Sequence, residues 1–348
     1  GISRRKFIET AATAAAFSAV PLNFYSNNAG KKTRKPNSKV GGVQLGCTTY
    51  SYLSMPHSLE EVLGYLLQAG INSVEMRSVL EEGLGIPQME SPMRTSTSQE
   101  KPSAPTFDVA AQGEARPAKS LLSEKDKAER TKAVEKLRET QRKWRLTLPM
   151  WKYADIRKMY NDAGVDIHIA KFAPSSWSDE EICYAYNAAM ILGAYGITDE
   201  LSENSARRLG PIAEKHKSLA ILHTHGQFGQ PGFDIDKYLS YSPSNMLNLD
   251  VGHYFGSTGL HPNNIIEKYH DRIPMIHIKD KTGPKSDPPN TNRPFGKGET
   301  PIADVLLLIK KKQWPIDVFV ELEYPIPEGS DAAKEVTKCI EYMRNIIE

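Results

Sequence analysis

The sequence predicts a single-domain α/β fold, a (β/α)8 barrel of the TIM type. Three observations carry this expectation: eight short apolar runs, helical segments alternating with them, and a first βα turn without a glycine-rich phosphate loop. Continuous apolar runs suit strands buried on both faces, and alternation with helices suits a parallel sheet. Eight such units permit closure into a barrel, and 348 residues is an ordinary length for one. An open doubly wound sheet is the runner-up. Against it, the chain after the first strand reads Cys47-Thr48-Thr49-Tyr50-Ser51-Tyr52, where a dinucleotide fold needs glycines.

The chain opens with Ser3-Arg4-Arg5-Lys6-Phe7-Ile8 and a short run of small and apolar residues from Ala11 to Val20, the layout of a charged n-region and an h-region. The paired arginines resemble a twin-arginine export signal. Residues 1–38 are therefore expected to be signal and linker, the barrel to span 39–348, and the protein to be exported, to the periplasm. A basic amphipathic tail is the plainer alternative.

Strand one is Val43 to Thr48. A capping box, Ser58 with Glu61, opens the helix after it and Gly70 closes that helix. Strand two is Ser73 to Arg77. Pro87 to Ser120 is rich in Pro, Ser, Ala and Thr, which predicts an insertion over 85–122 above the catalytic face, as a lid or as disordered chain. A charged helix over 123–143 and a helical stretch over 153–163 lead to strand three, Val165 to Lys171.

A second capping box, Ser178 with Glu181, opens a helix that Gly193 stops, and Tyr195 to Leu201 is strand four. A helix over 203–217 precedes strand five, Leu219 to Thr224. Strand six is Met246 to Val251 and strand seven Pro274 to Lys279. Thr300 caps the next helix with Pro301 at its first position. Strand eight is Ile316 to Leu322, and an amphipathic helix from Ser330 runs to the end.

Composition excludes some classes. With 44 basic and 42 acidic residues no strongly cationic face is forced, so nothing favours nucleic acid as a partner. No later run is long and apolar enough for a transmembrane helix. Cys47, Cys183 and Cys339 are too few and too scattered for a disulfide framework, and suit small buried residues.

In such a barrel, function gathers at the carboxyl ends of the strands. There the sequence places Asp199-Glu200 on strand four, His223-Thr224-His225 on five and Asp250-Val251-Gly252-His253 on six. His277-Ile278-Lys279-Asp280 follows on seven and Glu321-Leu322-Glu323 on eight. A lone histidine in an apolar strand is more often a hydrogen-bonded core residue than a ligand. Five strands bringing imidazole or carboxylate to one level are costly to bury without a shared counter-charge, and a bound cation removes that cost. The alternative, a salt-bridge network with Lys279 and Arg77, calls for more basic partners than the nearby sequence offers.

Residues i and i+2 of a strand share a face, and His223, Asp250 and His277 are evenly spaced 27 residues apart. The expected ligands are therefore His223, Asp250, His277 and Glu321, with His225, Glu323 and Glu200 supporting them or facing substrate. Nitrogen and oxygen donors without a thiolate suit Mn²⁺, Co²⁺, Zn²⁺ or Fe²⁺ over Ca²⁺, and manganese is the ion expected. His253 is placed to orient a substrate oxygen.

Leu249-Asp250-Val251-Gly252-His253, Ile276-His277-Ile278-Lys279-Asp280, Phe295-Gly296-Lys297-Gly298 and Val320-Glu321, in that order, resemble the xylose-isomerase-like superfamily of sugar isomerases and epimerases. The resemblance runs from about Val43 to the C-terminus. It implies one divalent metal at the ends of strands five to eight, and a sugar, keto-sugar, inosose or related polyol as substrate. In the ketose 3-epimerase branch the strand-five and strand-eight ligands are glutamates that also move the proton. This chain carries His223 at the strand-five position.

The chemistry expected is proton abstraction beside a carbonyl, through an enediolate. Glu321 or Glu323 is the expected base, His225, His253 or Glu200 the complementary acid, and Lys279 the holder of an oxyanion or a structural salt bridge. Tyr50, Tyr52 and Trp177 stack on a sugar ring or pack the rim, and Arg293 and Lys297 close over the ligand. Reprotonation gives an isomerase or epimerase; loss of a β-leaving group gives a lyase or dehydratase, and the reverse a hydratase, on keto-sugars or keto-glycosides. An exported site favours unphosphorylated sugars. A non-catalytic sugar-binding protein needs no clustered ligands, and an abasic-site endonuclease needs more ligands and a basic groove.

Overall fold

The computed structural model describes residues 35–77, 79–89 and 124–348. Within them the eight expected strands all form. They are Val43–Thr48, Ser73–Met76, Asp166–Ala170, Gly196–Glu200, Leu219–His223, Asn245–Asp250, Met275–Ile278 and Asp317–Val320, called strands one to eight. Each pairs in parallel with the next, and strand one pairs with both strand eight and strand two, so the sheet closes. Closure rules out the open doubly wound alternative.

Local sequence explains most boundaries. The capping boxes at Ser58 and Ser178 are both made, and Gly193 takes the left-handed conformation, with φ 86°, that ends its helix. Thr300 is a correction. The helix Ile302–Lys312 has Pro301 at its cap position, because the Thr300 amide donates instead to Asp280 Oδ1 at 3.2 Å. Several elements were not anticipated, among them one beside strand one and one after strand six. Lys39–Val40 pairs antiparallel with strand one through a turn whose Gly41 and Gly42 have φ 54° and 88°. The helix Val251–Thr258 starts directly from strand six, with the Asp250 carboxylate as its cap and no polar spacer to announce it.

The helix Glu124–Thr147 is charged and largely exposed, but its end is anchored. Buried Arg145 reaches Glu81 at 2.8 Å and Glu181 at 3.0 Å, and its guanidinium lies 3.6 Å from the Trp177 ring centre. Trp177 is thus occupied by Arg145 and by Phe172, and is no free sugar platform. The expectations for residues 1–34, which hold most of the signal and linker, and for residues 90–122 of the insertion lie outside the described residues. Among those described, no helix is long and apolar enough to cross a membrane.

Inside the barrel the side chains are layered, as strand alternation requires. Ile169, Ile221, Met275 and Phe319 fill a fully buried central layer. Strand one offers only Gly46 there; a Cβ on it would lie 2.3 Å from Phe319 Cε1, so the phenylalanine fills the space a side chain would need. Below this layer, at the amino ends of the strands, Asp317 accepts from Tyr195 at 2.9 Å and contacts His168 at 2.6 Å. The bottom face of a barrel carries stability and not chemistry. Asp317→Ala is expected to lower unfolding stability by about 2–3 kcal/mol, read by urea titration, because two polar partners lose their acceptor. Metal affinity should not change.

Candidate metal centre

Two residues beyond the central layer, on the same inward face, come Lys171, His223, His277 and Glu321. The same step from Asn248 gives Asp250. Strand pairing sets Asp250 beside His277 and Glu200 beside His223. His223, Asp250, His277 and Glu321 are all buried, and one donor atom of each lies within 4.8 Å of the others. His277 Nδ1 is 3.2 Å from His223 Nε2 and 3.0 Å from Glu321 Oε2. His223 Nε2 stands 3.7 Å from both Asp250 Oδ2 and Glu321 Oε2. The four expected ligands converge.

The far nitrogens of both imidazoles are held by carboxylates. His223 Nδ1 faces Glu200 Oε2 at 3.2 Å, and His277 Nε2 faces Glu75 Oε2 at 2.8 Å. A carboxylate on the far nitrogen fixes ring and tautomer and leaves the near nitrogen for a cation. Asp250 Oδ2, fully buried, has no hydrogen-bond partner among the described residues, and the Lys279 ammonium 3.0 Å away meets it as an ion pair. Two tethered imidazoles, two acidic oxygens and one orphaned lone pair fit a divalent ion of borderline hardness.

Without an ion, other charges balance the cluster. Burial by itself would lower the His277 pKa, but Glu321 and Glu75 raise it to about 10, so the ring carries a proton. Burial would raise Asp250 and Glu321; Lys279 heads the opposing influences and holds both well below the usual carboxylate range. Glu75 falls to about 2 as His277 outweighs its burial. Lys171 donates to Glu200 Oε1 at 2.7 Å. The expected shortage of basic partners is therefore corrected: Lys171 and Lys279 both neutralise this site.

All nine sequence-chosen residues meet here. His225 Nδ1 lies 3.3 Å from Glu200 Oε2, and burial, then His223, lowers its pKa to about 4. Lys279 Nζ donates to His253 Nε2 at 2.9 Å and lies 2.8 Å from Glu323 Oε2. Gly252 makes this contact possible, since a Cβ there would meet Lys279 Cβ at 2.6 Å and hold the helix off strand seven. His253 is pushed well below its ordinary pKa by burial and by Lys279, so it is neutral and accepts at Nε2.

Some neighbours differ from expectation. Asp280 turns away to accept the Gly296, Gly298 and Thr300 amides, which pins the loop after strand seven. Asn292 on that loop reaches Glu323 Oε2 at 3.4 Å. Tyr52 is fully buried core, whereas Tyr50 is half-buried with the Arg77 guanidinium 4.6 Å from its ring centre. Cys47 is buried and its thiol is pushed up to about 12, so it is no nucleophile. Glu75 and Lys171 were not anticipated, because the partner of each lies on another strand; the lone glutamate in Ser73-Val74-Glu75-Met76 was the signal available. If the cluster holds a divalent ion, Glu75→Gln should weaken its binding roughly 10–100-fold in a calorimetric titration, since the His277 ring loses its anionic tether.

Fold and cluster together define a parallel β/α barrel in which, among the described residues, four buried donors at the carboxyl ends of strands five to eight could hold a cation. Residues 182–346 match the family model described as xylose isomerase-like TIM barrel, which bears out the resemblance read from the motifs. An inosose dehydratase of Clostridium botulinum (strain Alaska E43 / Type E3) is 34% identical over 94 residues, 25% of this chain and 31% of that protein. The chain thus spans under a third of that relative in the match.

Solved structures share the fold at low identity. A sugar phosphate isomerase/epimerase from Parabacteroides distasonis ATCC 8503 aligns with TM-score 0.53 and 17% identity, covering 88% of this chain and 96% of that one. A D-psicose 3-epimerase from Clostridium cellulolyticum H10 gives 0.54 at 10% identity over 88% and 100%. A protein described as the probable 3-DHS dehydratase of Bacillus anthracis gives 0.53 at 12% identity over 86% and 98%.

Proposed function

We propose that the protein is a divalent-metal-dependent enzyme of the sugar isomerase/epimerase type, acting by proton abstraction next to a carbonyl. The observation that carries this reading is the convergence of His223 Nε2, Asp250 Oδ2, His277 Nδ1 and Glu321 Oε2 at the mouth of the barrel. When bound, the ion would act as a Lewis acid and stabilise negative charge developing on substrate oxygens, an effect of several kcal/mol.

The chain's own residues do the rest. Glu323 is the base we favour, because it lies outside the four-donor set, keeps partial solvent access and is held by Lys279 and Asn292. Neutral His253 and His225 line the same space and relay the proton back. Lys279, whose pKa is raised well above its ordinary value by Asp250, Glu321 and Glu323 against its burial, stays cationic and steadies an oxyanion. Manganese is the metal we propose. Dehydration of a keto-sugar is the second reading, favoured by the sequence match to an inosose dehydratase.

Incubating the Mn²⁺-loaded protein with free ketoses, inososes and 3-keto-glycosides in D₂O, and following proton NMR, tests both. Deuterium entering beside the carbonyl is expected, and the product separates epimer from dehydrated sugar. Protein that takes up metal yet exchanges no proton on any of them would rule out the enediolate mechanism.

A further inference from the structure

We propose that Lys279 is a resident counter-ion of the metal centre: its ammonium neutralises Asp250 and Glu321 while no metal is bound, and yields them to an arriving divalent ion by withdrawing onto Glu323 and His253. The idea rests on the metal reading above. Its basis is the set of contacts that one buried ammonium makes. Lys279 Nζ is 3.0 Å from Asp250 Oδ2 and 2.8 Å from Glu321 Oε2, two of the four donor atoms. The same nitrogen is 2.8 Å from Glu323 Oε2 and 2.9 Å from His253 Nε2, neither of them a donor of the cluster.

Two carboxylates buried without a cation would strain the folded state, so a protein that must fold before it loads its metal needs a substitute. A lysine suits that role better than an arginine, because its compact ammonium on a four-carbon stem changes partners by small rotations. Asp250 Oδ2 makes no hydrogen bond among the described residues, so its tie to Lys279 is an ion pair alone. Glu323, exposed by 22%, keeps the ammonium paired after the exchange. The device has a consequence for affinity. Each incoming ion must displace a favourable pair, so the site binds metal more weakly than its donors alone would allow, and the metal-free protein stays folded.

Lys281 provides the control for a general charge effect. Its side chain is equally buried and its Nζ lies 3.5 Å from His253 Nδ1, yet among the described residues it touches neither Asp250 nor Glu321. The experiment measures Mn²⁺ affinity by titration calorimetry, and melting temperature with and without Mn²⁺, for wild type, Lys279→Met, Lys281→Met and Glu323→Gln. Lys279→Met should bind Mn²⁺ roughly 10–100-fold more tightly, melt lower without metal and recover on loading, whereas Lys281→Met should change affinity by about twofold or less. Glu323→Gln should bind about tenfold more weakly, because the ammonium loses its second seat; this variant decides the matter if Lys279→Met does not fold.

Equal gains from the two lysine variants would reduce the effect to the general field and overturn the exchange. So would unchanged or weaker binding by a folded Lys279→Met, or unchanged binding by Glu323→Gln. Binding by none of the four proteins would remove the metal reading itself, a result distinct from metal-binding proteins that show no Lys279 effect.

Discussion

Replacing Asp250 by asparagine is expected to remove metal binding almost completely while leaving the protein folded. The carboxylate has two oxygens with separate tasks. Oδ1 accepts the His253 amide at 2.7 Å and caps the helix Val251–Thr258, and an asparagine oxygen can do the same. Oδ2 points into the cluster with an unused lone pair, and there the substitution puts an uncharged amide, or a donor that opposes a cation. Fold and charge are thereby separated. Loss of one anionic donor from a buried four-donor site should weaken Mn²⁺ binding by about 100-fold or more and cut turnover by a factor on the order of 10³. Metal analysis of dialysed protein beside its melting curve checks this. Full metal occupancy in the variant would remove Asp250 from the ligand set.

The second large effect belongs to Glu323→Gln at saturating Mn²⁺. If Glu323 moves the proton, solvent exchange and turnover should both fall by about 10²–10⁴, with the metal still in place. Its neighbours argue for the role. Lys279 and Asn292 hold its Oε2, and His253 Nε2 stands 3.8 Å away to take part in returning the proton. The decisive readout is the combination of lost deuterium exchange and retained metal. A variant that exchanges at the wild-type rate would move the base to Glu321, His225 or His253.

Much of this architecture was legible because barrel strands are buried on both faces and therefore read as short apolar runs. Val43–Thr48 was placed to the residue, and the other seven strands within a residue or two at either end. The donor set was legible for a related reason. Strand period two fixes which residues face inward, and equal βα repeats bring His223, Asp250 and His277 to the same end of the barrel, where their donor atoms converge.

What escaped the sequence depends on contacts across the lumen. Glu75 and His277 are 202 residues apart and meet only once the barrel closes. Lys171 finds Glu200 on the adjacent strand, a pairing no local pattern announces. Tyr50 and Tyr52 look alike in sequence, yet a short 3₁₀ turn over Thr49–Tyr52 sends the second into the core and leaves the first near the mouth. The helix after strand six was hidden because its cap is itself a strand-end carboxylate with a second task in the cluster.

The central claim is that imidazole and carboxylate groups from strands five to eight share one ion. Anomalous diffraction from crystals grown with Mn²⁺, recorded on both sides of the manganese edge, tests it directly. The expected result is a single peak bounded by His223 Nε2, Asp250 Oδ2, His277 Nδ1 and Glu321 Oε2, with the Lys279 ammonium drawn back to Glu323. Crystals saturated with manganese that show no peak between those atoms, and Lys279 still seated on Asp250 and Glu321, would contradict it.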